Sequence, residues 1–503
     1  MHTPSSRDAH CVLPWVTFIL CAGLTACGEA ARTETGSPMS TIDLGRDPDA
    51  AVPLAFDAAP TITEREGRLY DAQGREVLFR GLNARVAGLF DVGFTDGRAP
   101  LIPVEAFGAD DCRFLAVQLG ANLLRLPVNW SAIEPARGRF DEAYLDRIET
   151  VVTACAAEGV HTLVDLHQDA YSKEIGQDGA PLWAIVPAPT TRLGGPLTDL
   201  EARRLSPQVI AAFGSLYDNV DGLSDAHAAM AAHVARRLSS LPGLLALELH
   251  NEPVSFQAPR LADFHERSGR AVRAAAPSLP IAFEPDALRN LRDAAAVTHP
   301  FPLDVSIYAP HLYTGVFSRG RDNWADGNVL ALELSMAGAR READAHGAAL
   351  LVGEYGIDPR APRALEWLGH VHRLVDAHAA SAAFWVYEEY GEGQWGLYDA
   401  AGSPGAPTRG PLREAIARAV AHPFPQAIDG HLVSTHFDPD REALEVRLAD
   451  PGPGEHWLAA PALRYPAGVI VRCDDEVVPH RAGPGRVAVS CGGERLLLSP
   501  ASP

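Results

Sequence analysis

Leu244-Leu245-Ala246-Leu247-Glu248-Leu249 runs straight into His250-Asn251-Glu252-Pro253, and the fold turns on how this stretch is read. A short, mainly apolar run that stops at polar residues and a proline reads as a buried strand. The same pattern recurs at 77–82, 123–126, 162–166, 281–283, 305–308, 350–352 and 383–386, which makes eight expected strands. Each is followed by an amphipathic stretch, at 104–119, 141–158, 224–240, 260–276, 287–295, 328–347, 361–379 and 409–420. Strands that alternate with helices in this way predict an α/β fold, a (β/α)8 TIM barrel with long βα loops. A doubly wound open sheet would want a glycine-rich phosphate turn after the first strand, and Gly81-Leu82-Asn83-Ala84-Arg85 is not one.

The barrel is expected at 56–422. After Pro423 and Pro425 the texture changes to short β-like runs between Gly, Pro and Asp turns, so 423–503 is expected to form a C-terminal β-sandwich. The segment 169–225, rich in proline and glycine, is expected to be a long functional loop. At the other end, 1–10 are polar and 11–26 form an apolar run too short and too proline-interrupted to cross a membrane comfortably. Residues 1–27 therefore read as a secretory signal peptide. Leu24-Thr25-Ala26-Cys27 resembles a bacterial lipobox. Cys27 would then carry lipid and anchor an exported envelope protein; an ordinary signal with a chance cysteine is the alternative. Residues 28–55 lack a hydrophobic period and read as a flexible tether.

Of 503 residues, 47% are hydrophobic and 21% charged, enough apolar material for a large core, which excludes wholesale disorder. A net charge of −21 repels phosphate backbones and anionic lipid, so no nucleic-acid partner is expected. Membrane contact would have to come from lipid or apolar loops. Three of the seven cysteines lie in the first 27 residues, and the rest show no CxxC spacing, which argues against a cysteine metal site. Cys112 with Cys155 and Cys473 with Cys491 could form two bridges in an exported protein, free buried thiols being the alternative.

In such a barrel the active site lies where strands end. Six ends are polar: Arg125-Leu126-Pro127, His167-Gln168-Asp169, His250-Asn251-Glu252-Pro253, His311-Leu312-Tyr313, Gly353-Glu354-Tyr355-Gly356 and Trp385-Val386-Tyr387-Glu388-Glu389. Two carboxylates across a cleft suit glycoside hydrolysis, one as acid and one as nucleophile or base. A separation of about 5–5.5 Å allows a covalent intermediate, and about 6.5–9.5 Å admits a water instead.

Asn251-Glu252-Pro253, followed 102 residues later by Glu354, resembles the retaining barrel glycosidases of the cellulase-type family 5 of glycoside hydrolases. That resemblance implies Glu252 as acid/base and Glu354 as nucleophile, with no metal or organic cofactor. It implies that Asn251 bonds the sugar 2-hydroxyl and that Tyr313 and Arg125 orient Glu354 and favour its charged form. Glu252 should then hold a raised pKa in the free enzyme. His167 and His311 would bind sugar or fix neighbours, and Trp385 would form a stacking floor. Within the family, the runs Trp130-Ser131-Ala132-Ile133-Glu134-Pro135, Asp165-Leu166-His167-Gln168-Asp169-Ala170-Tyr171-Ser172 and Ala309-Pro310-His311-Leu312-Tyr313 resemble endoglycoceramidases. These cut the β-glycosidic bond between glycan and ceramide, so a glycolipid substrate is implied, with Asp169 on sugar hydroxyls. Arg85 stands where that group tends to have a lysine, a planar fork in place of an ammonium. Glu388 or Glu389 could bind substrate hydroxyls or be solvated loop acids. Trp183 could floor a groove for lipid or sugar, or simply pack its loop on the barrel. Other glycolipids, steryl glycosides or polysaccharide are alternative substrates, and a non-catalytic glycan-binding lipoprotein is the reading from another class.

Overall fold

The computed structural model describes residues 60–317, 324–391, 394–403 and 406–501, with Ala55, Phe56 and Ala58. The expected signal peptide, the lipobox Cys27 and the tether up to residue 54 lie outside the described residues. Eight parallel strands close on themselves in sequence order. They are β1 (Arg80–Asn83), β2 (Leu123–Val128), β3 (His161–Leu166), β4 (Leu244–Glu248), β5 (Ile281–Phe283), β6 (Ser306–Tyr308), β7 (Ala349–Tyr355) and β8 (Ser381–Phe384). The expected TIM barrel is what forms.

Side chains alternate along each strand. Leu124, Leu126, Val128, Val164, Leu166 and Val352 belong to the large core shared with the outer helices. Leu123, Leu163, Ala246, Ala282, Ile307, Leu351 and Ala383 form a separate apolar cluster that fills the barrel. Two residues further along the same faces stand Arg125, Asp165, Glu248 and Glu284, a polar layer above an apolar plug. That change of character along one face places the chemistry at the C-terminal mouth.

Several expected boundaries move. The run at 77–82 is split between two sheets: Val77 pairs with Ala427, while Arg80–Asn83 is β1. The run is buried from end to end because both sheets cover it. Thr63–Arg65, Arg68–Tyr70 and Glu76–Val77 join Pro425–Ile428, Glu455–Ala459, Arg486–Ser490 and Arg481–Gly483 in one seven-stranded sheet. Residues expected at the start of the barrel thus belong to the sandwich, and Ile62, Leu69 and Val77 pack into the barrel's inner cluster as its floor. The facing five-stranded sheet comprises His431–Asp438, Ala443–Ala449, Arg495–Pro500, Val469–Cys473 and Glu476–Val477. Phe437, Leu444, Leu458, Val487 and Leu496 fill the space between the two sheets.

The helix expected at 409–420 begins only at Glu414, because Ala406–Leu412 pairs with Tyr398–Ser403 as a hairpin. The fifth helix shrinks to Arg289–Arg292. The segment 169–225 is not plain loop: it carries helices Leu200–Arg204 and Pro207–Tyr217. Pro207 sits in the first turn of the second, a start signal that the proline-rich composition masks. Cys112–Cys155 joins helix Ala109–Leu119 to helix Glu142–Ala157, and Cys473–Cys491 ties the two sandwich sheets.

Candidate active site

The site is built on a single buried cation. Arg125, fully buried on β2, donates to both oxygens of Glu248 at 2.9 Å. Its Nη1 reaches Glu354 Oε1 at 2.8 Å and Asn83 Oδ1 at 2.9 Å. Its Nη2 reaches Asn251 Oδ1 at 2.7 Å and lies 3.1 Å from both Asp165 and Glu284. One cation cannot neutralise four buried acids. Burial, and then the charge of Glu248, hold Asp165 and Glu284 well above the usual carboxylate range. For Glu248 burial works the same way, but the Arg125 charge and the two bonds outweigh it and push the group down to about 2. Burial pushes His167 down to about 3, so its imidazole is neutral, with Nδ1 2.5 Å from Asp165.

Glu354 is fixed from both sides. Arg125 takes Oε1, and the Tyr313 hydroxyl donates to Oε2 at 2.8 Å. The β7–β8 register shifts between Val352 and Tyr355, so Glu354 sits on a bulge, a common device for aiming a side chain. Gly353 beside it is needed for space: a Cβ there would lie 3.2 Å from the His311 ring and 3.1 Å from the Ala309 carbonyl.

Glu252 follows β4 with φ of 37°, an unfavourable backbone for a residue with a side chain. Its amide donates to Glu284 Oε2 at 3.0 Å and its carbonyl accepts from Gln168 Nε2 at 2.9 Å, which together hold that turn. Asn290 Nδ2 donates to Oε1 at 2.6 Å, and His311 Nδ1 lies 2.9 Å from the same oxygen. Arg204 Nη2 is 3.5 Å from Oε2. Here the expectation of a raised pKa is overturned. Burial does oppose ionisation, but the Arg204 charge and then the His311 hydrogen bond outweigh it and push Glu252 down to about 2. The opposite holds for its partner His311. Burial favours neutral imidazole, yet Glu284, Glu354 and Glu252 surround the ring and hold it well above the usual histidine range. An oxygen of Glu252, an oxygen of Glu354 and a nitrogen of His311 all lie within 4.8 Å of one another.

Above these groups opens a cleft of about 400 Å3. Trp385 lies on one side, stacked on His167 with ring centroids 5.8 Å apart, and Arg85 sits 4.8 Å over its ring. Arg85 pairs with Glu389 at 2.9 Å. Phe317 and Trp395, stacked at 5.5 Å, line another part of the wall together with Ile102 and Leu200. Glu248, Glu284 and His311 also converge within 4.8 Å, as a ligand set for a metal ion would. In that group the Arg125 guanidinium already supplies the cation.

A family profile described as Cellulase (glycosyl hydrolase family 5) matches residues 71–391, which takes in all eight barrel strands and the whole cleft. The chain belongs to glycosyl hydrolase family 5. It is 33% identical over 264 residues to endoglycoceramidase I of Rhodococcus hoagii (strain 103S), covering 49% of this chain and 51% of that relative. The match thus spans about half of that relative's length. An endoglycoceramidase of Cyanea nozakii is 26% identical over 443 residues, covering 77% of this chain and 81% of the relative. The crystal structure of an endogalactoceramidase superimposes with a TM-score of 0.72 at 24% identity, over 88% of this chain and all of that one, and so shares the fold.

In this family 5 barrel, Arg125, His167, Asp169, Asn251, Glu252, His311, Tyr313, Glu354 and Trp385 are brought together as the strand ends suggest. Asp169 lines the cleft, but both its oxygens are already taken by Arg204, at 2.7 and 2.6 Å. Two expected positions are not in the cleft. Trp183 packs edge-on against Trp130 and donates to the Glu134 carbonyl at 3.1 Å, so it anchors its loop. Glu388 turns away to Arg409 and accepts from Tyr390, while its neighbour Glu389 faces the cleft. The strand ends do not reveal Asp165, Glu248 and Glu284, which lie on or just after strands; their signal is a charge on the inward face of an apolar run. Arg204 and Asn290 come from short helices and Phe317 and Trp395 from loops, where nothing in the sequence marks which side chain enters the cleft.

Proposed function

We propose that the protein is a retaining β-glycosidase that cleaves glycan from ceramide in glycosphingolipids. The observation that carries the reading is the approach of Glu252 and Glu354 oxygens within 4.8 Å, with Glu354 held by Arg125 and Tyr313. That close approach suits direct attack on the anomeric carbon by one of the two carboxylates. Glu354 attacks the anomeric carbon while the bond from that carbon to the ceramide oxygen breaks. Glu252 gives that oxygen its proton, drawn from the Glu252–His311 pair, which shares one proton across a 2.9 Å hydrogen bond. Water then attacks the anomeric carbon, gives a proton back to Glu252 and releases Glu354. Stacking on Trp385 suits a sugar face, and Phe317, Trp395, Ile102 and Leu200 offer apolar wall to a lipid. The endoglycoceramidase relatives support ceramide as the leaving group.

Lactosylceramide, glucosylceramide and galactosylceramide, incubated separately and read by mass spectrometry, test this. Intact lactose plus ceramide from the first is the expected result. Galactose released before glucose would make the enzyme exo-acting, and no cleavage of any β-glycosylceramide would overturn the substrate. Export through residues 1–27 with lipid on Cys27 would bring the enzyme to a membrane surface. Incorporation of labelled palmitate, lost in Cys27→Ala, is the expected result; labelling equal in both would sink the anchor.

A further inference from the structure

Arg204 closes helix Leu200–Arg204, in the long segment between β3 and the next barrel helix. It reaches the cleft from outside the strand framework. Its Nε and Nη2 grip both oxygens of Asp169, at 2.7 and 2.6 Å, and its Nη1 holds Glu201 at 2.7 Å. So clamped, Nη2 faces Glu252 Oε2 at 3.5 Å. The other oxygen of Glu252 is occupied by Asn290 and His311. Around this carboxyl stand Glu284 from the end of β5, His311 and Tyr313 after β6, Glu354 on β7, and His167 and Asp169 after β3. Arg125 lies beneath, committed to Glu248, Glu284, Asp165 and Glu354. Among these groups Arg204 is the permanent cation that meets Glu252 on the cleft side.

We infer that Arg204 is a positioning residue for the acid/base: a clamped counter-ion that draws the catalytic proton toward His311 and sets the upper pH edge of hydrolysis. The inference rests on the reading of Glu252 as acid/base. A guanidinium stays charged at every working pH, so its pull on Glu252 is constant. The Glu252–His311 pair must hold a proton for the leaving group, and kcat/KM falls at high pH as the pair loses it. A fixed cation beside the pair makes that loss easier and brings the fall to lower pH. Asp169 moderates the effect, because its negative charge, paired to the same guanidinium, offsets part of the pull on Glu252.

The test is the kcat/KM–pH profile on a fluorescent lactosylceramide. Arg204→Met should move the high-pH fall upward by about one to three units, the size of a nearby-charge effect on a carboxyl. Arg204→Lys, which keeps the charge, should stay close to the parent. Asp169→Asn should move the fall the other way, because it removes the negative charge that offsets Arg204 and leaves an amide oxygen to keep the contact. If Arg204→Met does not fold, Arg204→Gln, which also removes the charge, is read in its place, with the same upward movement expected. A parent that is active and impaired by Glu252→Gln, with superimposable falls in Arg204→Met or Asp169→Asn, would overturn the role of Arg204 and leave Glu252 in place. Equal activity of Glu252→Gln and parent would remove the acid/base reading, and the inference with it.

Discussion

Glu354→Gln is expected to lower kcat/KM on a cleavable glycosylceramide by about 10⁴-fold or more, the scale seen when a covalent catalytic group is removed. The amide oxygen can still accept from Arg125 Nη1 or Tyr313, which now hold the carboxylate at 2.8 Å each, so the side chain should keep its place. What is lost is the anion that bonds the anomeric carbon. Unfolding free energy should change by no more than about 1 kcal/mol, since no cavity is made and the other acids around Arg125 remain. Kinetics and thermal unfolding on the same preparation separate the two. A variant that is inactive because it is unfolded, or one as active as the parent, would contradict the role given to Glu354.

Arg125→Met attacks the layer beneath. It leaves Glu248 and Glu354 without their buried cation and the side-chain oxygens of Asn83 and Asn251 without a donor. Breaking a buried pair from one side costs about 3–5 kcal/mol, a large part of an ordinary domain's stability. Denaturant unfolding should show a loss of that size at neutral pH. The pH dependence gives a second check. Glu248 is held down to about 2 in the fold, from an ordinary carboxyl value of 4.5. A depressed carboxyl contributes stability above its unfolded value and loses it as pH falls through the folded one. The gap between parent and variant should therefore narrow between about pH 4.5 and 2. Arg125→Lys should recover only part, because an ammonium cannot fork onto Glu248. Unchanged stability in Arg125→Met would mean that the four acids need no common cation.

The barrel was legible because each buried strand is a short apolar run and each helix has its own period, as at Leu244–Glu248 followed by Ala258–Ala275. The polar mouth was legible because Asn251, Glu252, Tyr313 and Glu354 sit at or just past strand ends. Two kinds of information were not. Sheet partners cannot be read from an apolar run alone, so Val77 and Arg80, three residues apart, went to one strand when they belong to two sheets. Proton placement cannot be read from a motif. Glu252 lies low because Arg204 arrives from the long segment after β3, which has no local signature, and His311 from the end of β6, where a polar strand end marks the residue but not its charge. Glu388 and Glu389 show the same limit at the smallest scale, since one residue decides which of them faces the cleft.

The central claim is a double displacement through Glu354, and the anomer first released from a β-glycosylceramide tests it most directly. Proton NMR in the first minutes, before mutarotation, should show the β-anomer, because two inversions at the anomeric carbon restore its configuration. The α-anomer as first product would contradict the account, since it requires a single displacement by water between carboxylates set further apart.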